Sequence, residues 1–168
     1  LGDGLIGHVS LAKPICETMA NNVKNNSSEF DFKIHFKKTY ICIEGPYFST
    51  VAESNSYRQM NCDIIGMSNF PEYALAREAG LPYLPCCFVT DYDCWHPDHH
   101  SVTVEMVVQV LQANAKLSQD VIRRVVELIG DGFESPAHSA LATAIMTDRA
   151  LIPAAKKEQL KLLIEKYL

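Results

Sequence analysis

From Thr103 to Ile129 apolar residues return at helical spacing: Val104, Val107, Val108, Leu111 and Ala115, then Val125, Leu128 and Ile129. A period near that of the α-helix over such a length predicts one long amphipathic helix. Upstream the pattern is shorter in range and changes period. KPICETMANNVKNN (13–26) reads as a short helix frayed by asparagine. Residues 33–45 read as one long strand or two broken ones. STVAESNSYRQMN (49–61) reads as a helix that Ser49 or Thr50 can cap, with Glu53 near its first turn. CDIIGMS (62–68) predicts a short buried strand. PEYALAREAG (71–80) predicts a helix with Pro71 at its start, Glu72 in its first turn and Gly80 at its end. YLPCCFVTD (83–91) predicts another strand, with Pro85 near a bulge or an edge. GDGFESP ends the long helix, and two further helical stretches, separated near Pro153, close the chain.

Strands that alternate with helices imply an α/β fold with crossover connections. No internal repeat, low-complexity tract or linker divides the sequence, so one domain over residues 1–168 is expected. In such sheets ligands gather outside the carboxyl ends of the strands. Three polar clusters fall at such ends: Glu44 to Phe48, Met67 to Asn69, and Thr90 to Asp93. Their convergence on one crevice is a stronger signal than any of them alone.

Composition narrows the classes. The 168 residues are 48% apolar and 21% charged, the profile of a globular protein large enough for a real core. A net charge of −5, from 15 basic and 20 acidic residues, argues against a nucleic-acid surface, and no basic cluster offsets it. No apolar window reaches bilayer-spanning length, and no basic-then-apolar leader follows Leu1. The six cysteines include no C-x-x-C pair, and four of them (Cys42, Cys62, Cys86, Cys87) lie in or beside apolar runs. Free Cys acts there as a small hydrophobe, so a reducing cytoplasm is the expected setting.

The densest chemistry is in FVTDYDCWHPDHH, Phe88 to His100. Cys94, His96, His99 and His100 could in principle bind zinc, but the spacing fits no common zinc pattern and Pro97 interrupts it. A solvated loop with scattered histidines is the better reading, and no metal is expected. Asp91 and Asp93 would share one face if the strand persists. One of them could instead cap a turn, as Asp commonly does at strand ends. A crevice carboxyl with a raised pKa could protonate a leaving group. Phe48, after Gly45-Pro46, either covers a planar ligand or plugs the core. Val104 and Val107, at i and i+3, are core positions by default, and His8 reads as a surface or interface residue.

Read together, IEGPYFSTVAES, IIGMSNFPEYALAREAGL and TDYDCW, with GHVSLAKPIC near the start, resemble the trimeric purine nucleoside phosphorylase family. They are most similar to its 5′-methylthioadenosine phosphorylase branch; the 6-oxopurine branch carries Asn where Asp91 stands. The likeness runs from about Gly7 to about Val126, with a weaker match at Ala150 to Pro153. It implies a mixed central β-sheet flanked by helices, and a homotrimer with active sites at subunit interfaces. It implies phosphorolysis of a nucleoside, with inorganic phosphate as co-substrate and no cofactor. By that resemblance Phe48 stacks on the purine, Met67 lines the ribose and Ser68 hydrogen-bonds phosphate. Asp91 holds or donates the proton at the purine N7, Asp93 reads the 6-amino edge and Thr90 lines the base pocket. Val104 and Val107 wall the 5′-methylthio group, which His8 and Leu151 reach from the neighbouring subunit.

Two departures stand out. Tyr47 occupies a position where the branch usually has Arg, and Asn69-Phe70 replaces a Thr-Val or Thr-Thr pair. The family's N-terminal Gly-rich loop and Arg-His pair, which complete the phosphate site, have no match before Gly7. The expectation is therefore the C-terminal portion of a longer enzyme, partnered by its own N-terminal portion. The rival readings are a 6-oxopurine or 5′-methylthioinosine phosphorylase, which Asp91 argues against, and a non-catalytic purine-binding or assembly subunit.

Overall fold

A computed structural model describes residues 2–96 and 103–168. The fold is mixed α/β. In chain order its elements are α1 (Glu17–Asn25), β1 (Tyr40–Cys42), α2 (Val51–Gln59), β2 (Ile64–Gly66), α3 (Asn69–Glu78), α4 (Val104–Ile129), α5 (Ala154–Gln159) and α6 (Lys161–Ile164). β1 and β2 pair in parallel, Tyr40 opposite Ile64 and Cys42 opposite Gly66. Among the described residues no helix is long and apolar enough to cross a membrane.

The described residues divide into two compact units. One holds those of 1–20, 70–85 and 132–168; the other holds those of 21–69 and 86–131. In the first, Leu5, Leu141, Ala144, Ile145, Ile152 and Ile164 form a closed apolar core, with Val9, Leu160, Leu163 and Tyr167 packed on it. The N-terminal segment is laced to this core by backbone bonds: Met146 N–H donates to Ile6 O and His8 N–H to Ala144 O, both at 2.9 Å. α3 ends as its Gly80 requires. With φ at +68°, Gly80 donates to Arg77 O at 3.2 Å while Leu81 donates to Ala76 O at 2.8 Å, the paired bonds of a Schellman turn.

In the second unit the helix starts match their sequence signals. Thr50 accepts from Glu53 N at 3.2 Å and the Glu53 carboxylate accepts from Thr50 N at 2.7 Å, so the two residues close a capping box. Thr103 accepts from Met106 N at the head of α4, and Gly130, at φ +64°, stands just beyond its end. An ion pair from Arg124 to Glu29 ties α4 to the turn after α1.

Several expectations are corrected. The strand expected over 33–45 is confined to three residues, because Lys37 adopts a left-handed conformation (φ +55°) that no strand continues through. The strand at 62–68 is likewise three residues long and only half-buried. Residues 83–91 form no strand: a strand exists through its ladder, and none is made there among the described residues. Pro85 in that run has no N–H to donate. The helical stretch expected before Pro153 is two 3₁₀ turns, Pro136–Ser139 and Arg149–Leu151. Val104 is not a core residue; it is 63% exposed on the first turn of α4, and Val107 is half-buried.

Candidate functional site

The parallel pairing of β1 and β2 brings two of the three polar clusters to one edge. Gly45 lies against Met67, whose Sδ would be 2.8 Å from a Cβ added at Gly45, so any larger residue there displaces Met67. Gly66 makes room for Tyr40 more strictly: a Cβ at Gly66 would stand 2.0 Å from the Tyr40 Oη. Through that gap the phenol reaches over β2 toward Ser68. Burial raises the Tyr40 pKa above its ordinary value and the Cys87 and Cys42 thiols add to the rise, while Ser68 opposes it.

Beyond Gly45 the chain runs through Phe48, a half-exposed ring that plugs no core, into Ser49 and the Thr50 cap of α2. Among the described residues Ser49 Oγ is buried with no hydrogen-bond partner. An orphan hydroxyl of this kind is costly unless something binds it.

The third cluster folds against this stretch. Asp91 accepts from the Thr90 hydroxyl at 2.6 Å on Oδ2 and from Asp93 N–H at 2.8 Å on Oδ1. Asp93 has φ +59° and opens the 3₁₀ turn Asp93–Trp95. The idea that both carboxylates share a strand face is thereby corrected: no strand carries them, and Asp91 caps the turn that carries Asp93. Each Asp91 oxygen keeps a further lone pair for a ligand. Two contacts hold the turn to α2 and its approach. The Cys94 thiol donates to Ser49 O at 3.3 Å, and the Arg58 guanidinium lies 3.9 Å over the Trp95 ring. Tyr92 meets the Trp95 ring edge-on at 6.2 Å between centroids. Burial, then the Asp93 charge, pushes the Cys94 thiol above its ordinary pKa, which keeps it a neutral donor.

One unit thus brings together Phe48, Met67, Ser68, Thr90, Asp91 and Asp93, and the same unit carries Val104 and Val107. Phe48, Met67 and Ser68 are open to solvent, so the site is accessible. His8 and Leu151 belong to the other unit, and both are exposed there; Leu151, on the 3₁₀ turn capped by Asp148, is 75% exposed. Of the histidine cluster, His96 packs near Tyr92 and Trp95, while His99 and His100, with Pro97, lie outside the described residues. Among the described residues no three His, Cys, Asp or Glu side chains gather as a metal site would require.

Sequence reasoning missed Tyr40, Ser49, Arg58 and Gly66. Ser49 had a signal, since it directly follows Phe48. Arg58 and Tyr40 had none: what defines them is a contact to Trp95 and to Gly66 made through the fold.

Comparison with known proteins supplies the context for these residues. The Phosphorylase superfamily matches residues 2–127. The S-methyl-5′-thioadenosine phosphorylase of Koribacter versatilis is 48% identical over 166 residues, which span 99% of this chain and 57% of that protein. The protein of the same description from Thermosynechococcus vestitus is 46% identical, over 99% of this chain and 59% of its own length. The chain therefore spans less than two thirds of the curated relatives it matches. Among solved structures, a methylthioadenosine phosphorylase from an antarctic soil metagenomic library superposes with a TM-score of 0.86 at 45% identity, covering 97% of this chain and 58% of that one. Methylthioadenosine phosphorylase from Schistosoma mansoni in complex with adenine gives 0.64 at 31% identity, covering 76% and 50%.

Proposed function

The chain belongs to the phosphorylase superfamily, and from that premise we propose that it forms the C-terminal portion of a nucleoside phosphorylase domain acting on 5′-methylthioadenosine. A phosphate oxygen bonds to the ribose C1′ as the bond to purine N9 breaks, giving adenine and 5-methylthioribose 1-phosphate. The observation that carries the reading is the joining of the Phe48–Ser49 stretch to the turn of Asp91 and Asp93 within the unit that also holds Ser68, just past β2. That arrangement offers a flat aromatic face, two carboxylates and an unsatisfied hydroxyl, which suits a purine with donor groups on its edge.

In this reading Phe48 stacks on the base, Thr90 lines its pocket, and Asp93 accepts from the 6-amino group. Asp91 holds or supplies the proton at N7, which relieves the negative charge left on the departing base. Met67 lines the ribose and Ser68 hydrogen-bonds phosphate. Val104 and Val107 wall the methylthio group, and their exposure in this chain leaves them free to do so. His8 and Leu151 reach that group from a neighbouring subunit of a cytoplasmic homotrimer. The N-terminal portion of the same enzyme completes the phosphate site, and no cofactor takes part.

The test is a phosphorolysis assay on the full-length protein. Adenine should appear from 5′-methylthioadenosine only when phosphate is present. A higher kcat/KM for hypoxanthine nucleosides would overturn the adenine assignment, and adenine binding without turnover would favour a non-catalytic role. For the subunit contribution, His8→Ala should raise KM for the methylthio substrate more than for the 5′-hydroxyl nucleoside. Equal effects would remove His8 from the 5′ pocket.

A further inference from the structure

The segment that carries His8 is pinned beside residues 144–147 by an antiparallel bridge, Gly7 against Ile145. Met146 N–H donates to Ile6 O and His8 N–H to Ala144 O, both at 2.9 Å, and Ile6 N–H donates to the Thr147 hydroxyl at 2.8 Å. Across such a bridge opposed residues share a face, and successive residues along each segment alternate between faces. Ile145, 5% exposed, belongs to the apolar core. Ile6 and Met146 are therefore neighbours on the other face, and His8, two residues on from Ile6, shares it. The apolar pair is open to solvent there, Ile6 at 56% and Met146 at 68%, and His8 is exposed as well. Each of the three is held by a backbone bond, so the face is a built surface.

A histidine by itself is a poor wall for a methylthio group, since its ring N–H gains more from a 5′-hydroxyl than from a thioether. The apolar pair on the same face supplies what it lacks. We propose that Met146, backed by Ile6, is a specificity-determining residue that enters the neighbouring subunit's 5′ pocket with His8 and sets how large a 5′-thioalkyl group is accepted. Methionine is long, unbranched and polarizable, so it packs against a thioether and adapts to what the sulfur carries. Covering Ile6 and Met146 with a second copy of the chain also removes apolar surface from water, which favours the assembly that builds the site. The proposal rests on the assignment of His8 to that pocket.

The experiment is steady-state kinetics on the full-length protein at saturating phosphate, with 5′-methylthioadenosine, its 5′-butylthio analogue and adenosine as substrates. Met146→Ala should lower kcat/KM for the methylthio substrate about tenfold, the worth of roughly one methylene-sized apolar contact. It should change adenosine less than twofold and raise the butylthio-to-methylthio ratio, because the shorter side chain leaves room for the longer group. Met146→Leu, which restores apolar bulk, should recover most of the methylthio loss. Met146→Gln keeps the length and replaces the thioether with an amide, so it covers the case of an alanine variant that fails to assemble; it too should slow the methylthio substrate and spare adenosine. An equal loss for all three substrates would reduce Met146 to a packing residue and overturn the proposal, and unchanged constants would do the same. If His8→Ala separates the methylthio substrate from adenosine and the Met146 variants do not, the proposal fails while the reading of His8 stands. If neither residue separates them, the assignment of His8 has itself failed and the proposal with it.

Discussion

One unit closes an apolar core, while the other carries a long helix whose apolar residues are mostly left open. In the unit built from the two ends of the chain and residues 70–85, Leu5, Leu141, Ile152 and Ile164 are sealed within a single core. In the other unit α4 buries only Val121 and Val125, while Val104, Leu111, Ile122 and Val126 on the same helix lie open. Helical apolar periodicity is present in both, so the period reports a capacity for burial and not the burial itself. The unit with this half-open helix is also the one that carries Phe48, Ser68 and Asp91, although Leu151 and Leu162 of the first unit are exposed as well. Contiguous exposed apolar surface on a folded chain marks a binding or subunit surface, and the proposed methylthio wall of Val104 and Val107 begins that same helix.

The largest expected effect tests the chemistry of the open unit. Asp91→Asn should lower kcat for 5′-methylthioadenosine roughly 10²- to 10⁴-fold, the range for a lost general acid. Folding should survive, because the amide oxygen can still accept from Asp93 N–H and hold the turn. Adenine release followed beside a thermal melt checks both halves, and an unchanged kcat would strip Asp91 of its proton.

The next contrast sets one truncation against another. Leu141, 1% exposed, should cost about 2–5 kcal/mol when cut to Ala. Leu111→Ala on α4, where the side chain is 52% exposed, should stay within about 0.5 kcal/mol if only this chain covers it. Urea midpoints on the full-length protein decide the point. A Leu111 cost near that of Leu141 would mean that another subunit or segment seals this face, which would break the contrast and sharpen the trimer proposal.

A smaller effect concerns the start of α2. Thr50→Ala removes the side-chain cap and should cost about 1 kcal/mol. Its partner Glu53 adds a pH dependence. The Thr50 backbone N–H, then its hydroxyl, holds the Glu53 carboxyl below its ordinary pKa. A depressed carboxyl contributes stability above its unfolded pKa and loses it as pH falls through the folded value. Glu53→Gln should therefore narrow the gap between neutral and acid stability, and equal gaps in the two proteins would show that the capping box contributes nothing on the acid side.

Smallest is the clamp on the base-reading turn. Arg58 stacks on Trp95 at an exposed edge, where such a contact is worth about 0.5–1 kcal/mol. Arg58→Ala should raise KM for the nucleoside two- to fivefold on that scale and leave phosphate KM alone. Lys at the same position should recover part of the loss. Equal shifts in both KM values would mean that α2 and not the turn had been disturbed.

Much of the local structure was legible because its signals are local. Thr50 with Glu53, Gly80 after α3 and the period of α4 each act within a few residues, through caps, a left-handed glycine and the pitch of a helix. The family motifs were legible for the same reason, being short runs at the ends of apolar segments. The capping alternative for Asp91 was also open to a reader of the sequence, but whether the strand persisted far enough to give Asp91 and Asp93 a common face was not. That outcome depends on a ladder, and a ladder needs a partner strand that no single segment specifies.

The sequence by itself determined the helices, their caps and the residues that resemble a purine site, since those depend on neighbours along the chain. Tertiary structure decided which apolar positions are buried, how short the strands are, and that Tyr40 passes over Gly66 while Arg58 holds Trp95. Each of those is a contact between residues well apart in the chain, and its energy exists only once the backbone has brought them within reach.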